Sequence, residues 1–383
     1  EAVVPMERMI ATIQALAVDP LRPLSLATNT TLDNETSMVE QALRKFGKLL
    51  QLGFGEAGAK IINASLKNGR VDQSLPGKVT QAIFGFCDIR NFTDCTEVLQ
   101  GDVVKLVNGI AQYVHDAVKD NYGAPNKNIG DAFLLVWKPK GKLPLSVVAG
   151  SALRSYIRTI VEISRCKQLD RMASSEKLQE RIPGFRVKMG FGLHYGWAIE
   201  GAIGSAQKID ASYLSPHVNL ASRLEDCTKQ YGVSILMSQH LHALLSEDIQ
   251  CLCRLVDRVT LKGSNVPMSL YTYDVPRFSA QDEEEFNEDE SSSVFGGAAL
   301  HDLRSPTLDL ATFFSLVPPS TSAQFLDIWN RAIAAYLGGD RGQDADWGEA
   351  LRLLHRCLEV LPDDGPSQTL VRVIEELQVN GQA

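Results

Sequence analysis

The sequence predicts a mixed α/β (α+β) fold around a single core. Two observations carry this. Between residues 77 and 277, apolar runs of strand length alternate with segments whose apolar residues recur at helical spacing. Stretches of different character flank that region: a lead-in containing Pro, Thr and Asn before it, and a strongly acidic run after it. With 44% hydrophobic and 22% charged residues in 383, the chain can bury an ordinary core and is long enough for two or three units.

Residues 1–35 show little periodicity and are expected to form an irregular extension. Over 36–76 the pattern is amphipathic. Val39, Leu43, Phe46 and Leu50 make a narrow helical stripe, with Lys45 and Lys48 off it. Two readings stay open: a helix packed on its own domain, or a two-stranded signalling stalk joining two copies. Pro76-Gly77 marks a break. Ala82–Asp88 then reads as a strand, and Val98–Val118 as a helix with Val103, Leu106, Ile110 and Val114 on one face. Ala132–Trp137 reads as a strand and Leu145–Ile163 as a helix. Phe185–His194 alternates, with Val187, Met189, Phe191 and Leu193 on one side, as a half-buried strand does. Val218–Gln230 is expected to be helical, Val233–Met237 a strand, and Leu255–Tyr273 to hold two more strands.

Residues 278–320 are expected to form a disordered acidic linker, either a solvated spacer or a strip for a partner. Over 321–383 the pattern predicts a helical hairpin, Phe325–Leu337 and Trp347–Leu361. Ala350, Leu354, Cys357 and Pro362 match the spacing of a tetratricopeptide second helix. One such unit cannot bury a full core. It must dock on its own core, on a second copy or on another protein.

Composition excludes several function classes. The net charge is 38 − 46 = −8, and Asp282–Glu290, with seven acids and no base, supplies most of it. The remainder is nearly neutral, which argues against a nucleic-acid surface. No run of 18 apolar residues suggests a membrane span. Seven cysteines without a CxxC pair fit reduced thiols in a cytoplasm. Cys251-Leu-Cys253 has no second pair or close His to support a metal. The glycosylation-type triplets at Asn29, Asn34, Asn63 and Asn91 then read as chance matches. A chain that opens on Glu1 with no leader pattern is expected to be part of a longer polypeptide.

Two segments carry candidate chemistry. In Phe84-Gly-Phe-Cys-Asp-Ile-Arg-Asn-Phe-Thr93, an apolar strand ends in Asp88 and a polar turn follows. There the amides of Asn91, Phe92 and Thr93 could cradle phosphate oxygens at a helix start. In Lys127-Asn-Ile-Gly-Asp-Ala-Phe133, Gly130 allows a tight turn and Asp131 opens the next apolar run. Either acid alone reads as a solvated loop carboxylate. Together with a phosphate-cradling turn, they suggest a two-Mg²⁺ (or Mn²⁺) site for phosphoryl transfer.

FGFCDIRNFT, KNIGDAF and VNLASRLE, in that order, resemble the class III nucleotidyl cyclases over roughly residues 77–277. The flanking segments look like those of algal and other protist members. The resemblance implies a ferredoxin-like βαββαβ core paired head to tail in a homodimer, with each active site formed between two chains. It further implies that Asp88, Asp131 and the Ile89 carbonyl hold two Mg²⁺ or Mn²⁺ ions. Asn219 would orient the ribose, Arg223 would stabilise charge on the phosphate, and Lys262 would hold the triphosphate. Lys127 and Ser212 of the partner chain would read the base. Read without the resemblance, Arg223 is a surface helix arginine paired with Glu225 or Asp226, and Asn219 is a helix-start residue.

The implied activity is conversion of ATP to 3′,5′-cyclic AMP and pyrophosphate. Lys127 can donate to adenine N1, whereas the protonated N1 of guanine would repel it. The Ser212 hydroxyl both accepts and donates, so a guanylyl cyclase remains an alternative, as does a catalytically silent regulatory module. Ser212 also raises the question of a bicarbonate response. The stimulus is not written in these residues, and an upstream sensor or a membrane tether in the same polypeptide stays open.

Overall fold

In the computed structural model the described residues are 66–67, 70–71, 76–139, 141–205, 209–276, 303–305, 308–338 and 345–379, with isolated positions at 42, 45, 49 and 53. The expected extension 1–35, most of the amphipathic segment 36–76 and the acidic run lie outside them. Within 36–76 the described ladder pairs Leu66–Lys67 with Arg70–Val71.

Strand β1 (Lys78–Ile89) leads through α1 (Phe92–Leu99) into α2 (Val103–Asp120). Strands β2 (Ala124–Ile129) and β3 (Ala132–Trp137) form a hairpin. Helices α3 (Leu145–Ser164), α4 (Lys167–Ala173) and α5 (Glu176–Arg181) precede β4 (Met189–Gly204). Then come β5 (Ile209–Leu214), α6 (Pro216–Tyr231), β6 (Ile235–Ser238), α7 (Gln239–His242), α8 (Glu247–Gln250), β7 (Arg254–Val259) and β8 (Met268–Thr272).

The chain divides into two packing units. The larger holds Gln81–Gly123, Lys127–Gly196 and the described residues from Pro216 onward. Its strands follow the order β2-β3-β1-β4-β6-β8-β7. The run β2-β3-β1-β4, with α2 packed on α3, is the expected βαββαβ arrangement. Ile83, Cys87, Phe133 and Trp137 from the strands bury against Leu106, Ile110 and Val114 of α2 and Tyr156 of α3. A second cluster joins Leu220, Leu224 and Tyr231 of α6 to Leu236, Val256 and Leu270. The smaller unit holds the described residues up to Thr80, Ala124–Asn126 and Trp197–Ser215. There the outer part of β4 pairs antiparallel with β5, from Ile199 opposite Leu214 to Gly204 opposite Ile209.

Several elements differ from expectation. The strand expected over Phe185–His194 begins at Met189 and continues to Gly204. It is not half-buried either. Its second face, carrying Gly190, Gly192, His194 and Gly196, is covered by α6. A Cβ on Gly192 would stand 2.2 Å from the Ala221 carbonyl oxygen and 2.5 Å from the Glu225 nitrogen. Glycines that look like a bare face are instead a track on which a helix lies close.

The linker expected over 278–320 also ends early. Leu303, Phe313, Phe314 and Val317 join the main core, the last three in or beside α9 (Leu310–Leu316). The buried Arg154 of α3 donates to the carbonyls of Leu308 (2.6 Å) and Ser305 (3.0 Å), and its guanidinium lies 4.9 Å from the Phe313 ring.

The tail has three helices rather than a hairpin: α10 (Ala323–Leu337), α11 (Trp347–Val360) and α12 (Gly365–Val379). Ala350, Leu354 and Cys357 are fully buried among them, whereas Pro362 follows α11 on the surface. Pro366 lies in the first turn of α12, where its missing N–H costs nothing, and Leu370 and Ile374 bury beyond it. The tail docks on its own chain. Trp329 Nε1 donates to the Leu255 carbonyl at 2.8 Å. The buried Arg254 makes paired bonds to Asp274 (2.8 and 2.9 Å) and to Asp364 (3.2 and 2.7 Å). Its guanidinium lies 4.6 Å from the Trp329 ring. No described helix is long and apolar enough to cross a membrane.

Candidate active site

Asp88 lies next to the last residue of β1 and pairs in register with Ala132 of β3. Asp131 immediately precedes Ala132, in a turn that Gly130 makes with φ 65°. Strand register therefore brings the two acids to one end of adjacent strands, although 43 positions (131 − 88) separate them. Burial, and then the charge of Asp88, raises the Asp131 carboxyl above the ordinary carboxylate range. The Ile89 side chain is buried, which leaves its main chain as the only group it can offer a ligand.

Asn91 turns the chain out of β1 in a left-handed conformation, φ 57°. The first amides of α1, including those of Phe92 and Thr93, follow at once. A helix start leaves such amides without intrahelical acceptors.

Helix α6 lies beside this loop. Pro216 opens it, in the position where a missing N–H costs nothing. Asn219 and Arg223 sit one turn apart on one face. Arg223 reaches toward the turn after β7: a Cβ on Gly263 would stand 3.6 Å from its Nη2. Arg223 and the neighbour of Lys262 therefore lie together. Lys127 stands on β2. Ser212 lies in β5 of the smaller unit, paired with Gly201.

A set of charges that the sequence motifs did not single out ties α6 to the loop after β1. Glu225 forms an ion pair with Arg90 at 3.2 Å, not with Arg223. Arg90 also donates to the Thr228 hydroxyl. Burial pushes Glu225 up to about 7, against the pull of Arg90. One turn further on, Lys229 Nζ lies 2.9 Å from Asp88 Oδ2. The available signal was the spacing of Glu225, Thr228 and Lys229, which places them on one helix face.

Two close carboxylates, one of which has drawn an ammonium onto itself, are hard oxygen donors, and they fit a divalent ion of the Mg²⁺ or Mn²⁺ type. Among the described residues no group of three or more His, Cys, Asp or Glu gathers as a closed metal cage. The acids could instead share an ion with a main-chain oxygen and with oxygens brought by a substrate.

Within one chain, Lys229 marks the position of Asp88 along α6. Asn219 lies ten residues earlier, about 15 Å away at the helical rise of ~1.5 Å per residue. The two ends of α6 thus face different surroundings.

A βαββαβ core with paired acids at the β1–β3 end and an Asn/Arg helix defines the class III cyclase fold. The family model for the adenylate and guanylate cyclase catalytic domain matches residues 77–275. The chain belongs to that family. A second family model, for the all-helical domain of RasGEFs, matches residues 1–67.

Among curated relatives, the terminal-differentiation-specific adenylate cyclase of Dictyostelium discoideum is 32% identical over 191 residues, 49% of this chain and 8% of that protein. The adenylate cyclase of Anabaena cylindrica is 28% identical over 189 residues, 49% of this chain and 35% of that protein. The chain thus spans about a third or less of these relatives. A solved bacterial light-regulated adenylyl cyclase shares the fold, with a TM-score of 0.50, 23% identity and 66% of each chain covered.

Proposed function

We propose that this chain is an adenylyl cyclase, converting ATP to 3′,5′-cyclic AMP and pyrophosphate at sites shared between two copies of itself. The observation that carries the reading is the register of β1 and β3, which sets Asp88 and Asp131 side by side next to a turn with open amides. Lys229, which reaches Asp88, stands ten residues from Asn219 along α6, a rise of about 15 Å, and this spacing favours sharing. One chain's Asn219 and Arg223 serve the acids of its partner.

Asp88 and Asp131, with the Ile89 carbonyl, would hold two divalent ions. When bound, these lower the pKa of the ribose 3′-hydroxyl and neutralise the triphosphate. The chain's own groups do the rest. The amides of Asn91, Phe92 and Thr93 donate to phosphate oxygens at the start of α1. Asn219 fixes the ribose so that its 3′-oxygen lines up with the α-phosphate. Arg223 donates to the phosphate oxygen on which charge grows, and loss of one such donor lowers the rate by about 10²–10³. Lys262, beside the Arg223-contacting Gly263, holds the triphosphate. Lys127 donates to adenine N1 and the Ser212 hydroxyl accepts from the 6-amino group.

The test is product formation by purified protein with Mn²⁺ and either ATP or GTP. Cyclic AMP from ATP is expected. Cyclic GMP alone would overturn the base assignment, and no product from either nucleotide would point to the silent regulator.

A further inference from the structure

The Lys229–Asp88 ion pair has no part in the chemistry above, and it occupies one oxygen of a carboxylate that chemistry would use. Lys229 Nζ lies 2.9 Å from Asp88 Oδ2. The lysine side chain is half exposed (50%), while Asp88 is mostly covered (16%). Helix α6 delivers the ammonium from a fixed platform. One turn earlier, the buried Glu225 pairs with Arg90 and holds the loop two residues after Asp88. Gly190 and Gly192 let the helix approach the sheet this closely. The pairing is therefore set by packed backbone, while the ammonium itself hangs on a flexible, partly solvated stem.

A carboxylate oxygen cannot serve an ammonium and a divalent ion equally. A metal bound at about 2.0–2.6 Å from Asp88 would stand within a few ångströms of a like charge. At such separations repulsion exceeds thermal energy, even at the effective dielectric of a partly exposed site. The reading of Asp88 as a metal ligand, on which this rests, thus implies competition.

We propose that Lys229 is a tethered counter-ion that competes with the divalent metal for Asp88. The acids then take metal poorly on their own and take it well once a polyphosphate brings negative charge to offset the lysine. Lys229 acts through Asp88 and is a positioning residue in this scheme.

Mn²⁺ binding without nucleotide, followed by loss of the free-ion EPR signal, tests this without reference to turnover. Lys229→Gln is expected to bind Mn²⁺ about tenfold more tightly than the native chain, the factor that ~1.4 kcal/mol represents. Lys229→Arg, which keeps the charge, should stay near the native affinity. Adding a non-cyclisable ATP analogue should shrink the gap between Lys229→Gln and native protein. Lys229→Gln binding no more tightly than native, or Lys229→Arg matching Lys229→Gln, would overturn the proposal. Asp88→Asn separates the two levels. If it binds Mn²⁺ like the native chain, the metal assignment itself fails. If it loses Mn²⁺ while Lys229→Gln gains nothing, only the competition fails.

Discussion

His194 is fully buried in β4, with Nδ1 2.8 Å from Ser238 Oγ and Nε2 2.8 Å from His217 Nδ1, and its ring is edge-on to His240. Burial, then the neighbouring His217 and His240, hold it down to about 3. An unfolded histidine titrates near 6.5. The folded form therefore resists protonation that the unfolded chain accepts. Its contribution to stability is full above about 6.5 and falls as pH drops toward 3, by up to ~1.4 kcal/mol per pH unit. Melting temperatures measured between pH 7 and 4 should fall less steeply in His194→Gln than in the native chain. At the proposed metal site, Asp88→Ala and Asp131→Ala should each abolish cyclic product while leaving far-UV circular dichroism unchanged. Substantial turnover in either variant would remove the metal assignment. These acids were legible in sequence because each sits inside a compact motif. Arg90, Glu225 and Lys229 were not, because their partners meet only when α6 folds back over the sheet, far from them in the chain.

Element boundaries followed periodicity where one face was apolar and the other polar, as in α3, whereas the helix expected over Val98–Val118 is interrupted by a tight turn at Gln100–Asp102 and starts anew at Val103. They failed where contact came from small residues or from a distant segment. The glycine track of β4 is the first case. Gly192→Ala would drive a methyl against main-chain atoms of α6, which cannot rotate away. We expect a loss of about 1–3 kcal/mol or more from such overpacking. Turnover should fall as well, since the displaced helix carries Asn219 and Arg223. Urea unfolding beside an activity assay reads both. The tail is the second case. Asp364 binds Arg254 and also accepts from the Ser367 amide at 2.9 Å, which caps α12. Asp364→Ala should cost about 2–4 kcal/mol, since the α12 cap and two charge-assisted bonds are lost while Arg254 keeps Asp274. Limited proteolysis should then cut within α10–α12 first. Sequence gave α10 and α11 their amphipathic stripes but could not say what they cover, because Arg254, Trp329 and Asp364 lie in three separate segments.

For the whole molecule, the shared-site reading makes a numerical claim. Asp131→Ala and Arg223→Ala chains, each nearly inactive, would form mixed dimers in which one of two sites is intact. At equal mixing, half the dimers are mixed, so activity should recover to about a quarter of native. Subunit exchange confirmed by mass, without recovery, would mean that each chain works alone. The family and the fold were readable from three motifs in order; the attachment of the tail was not. That attachment ends on the last turn of α6, where the Thr369 hydroxyl donates to the Gln230 carbonyl at 2.8 Å and Gly365 abuts the Tyr231 carbonyl. The far end of the same helix bears Asn219 and Arg223. On the proposed reading, the tail and the groups that would meet the substrate therefore sit at opposite ends of one helix.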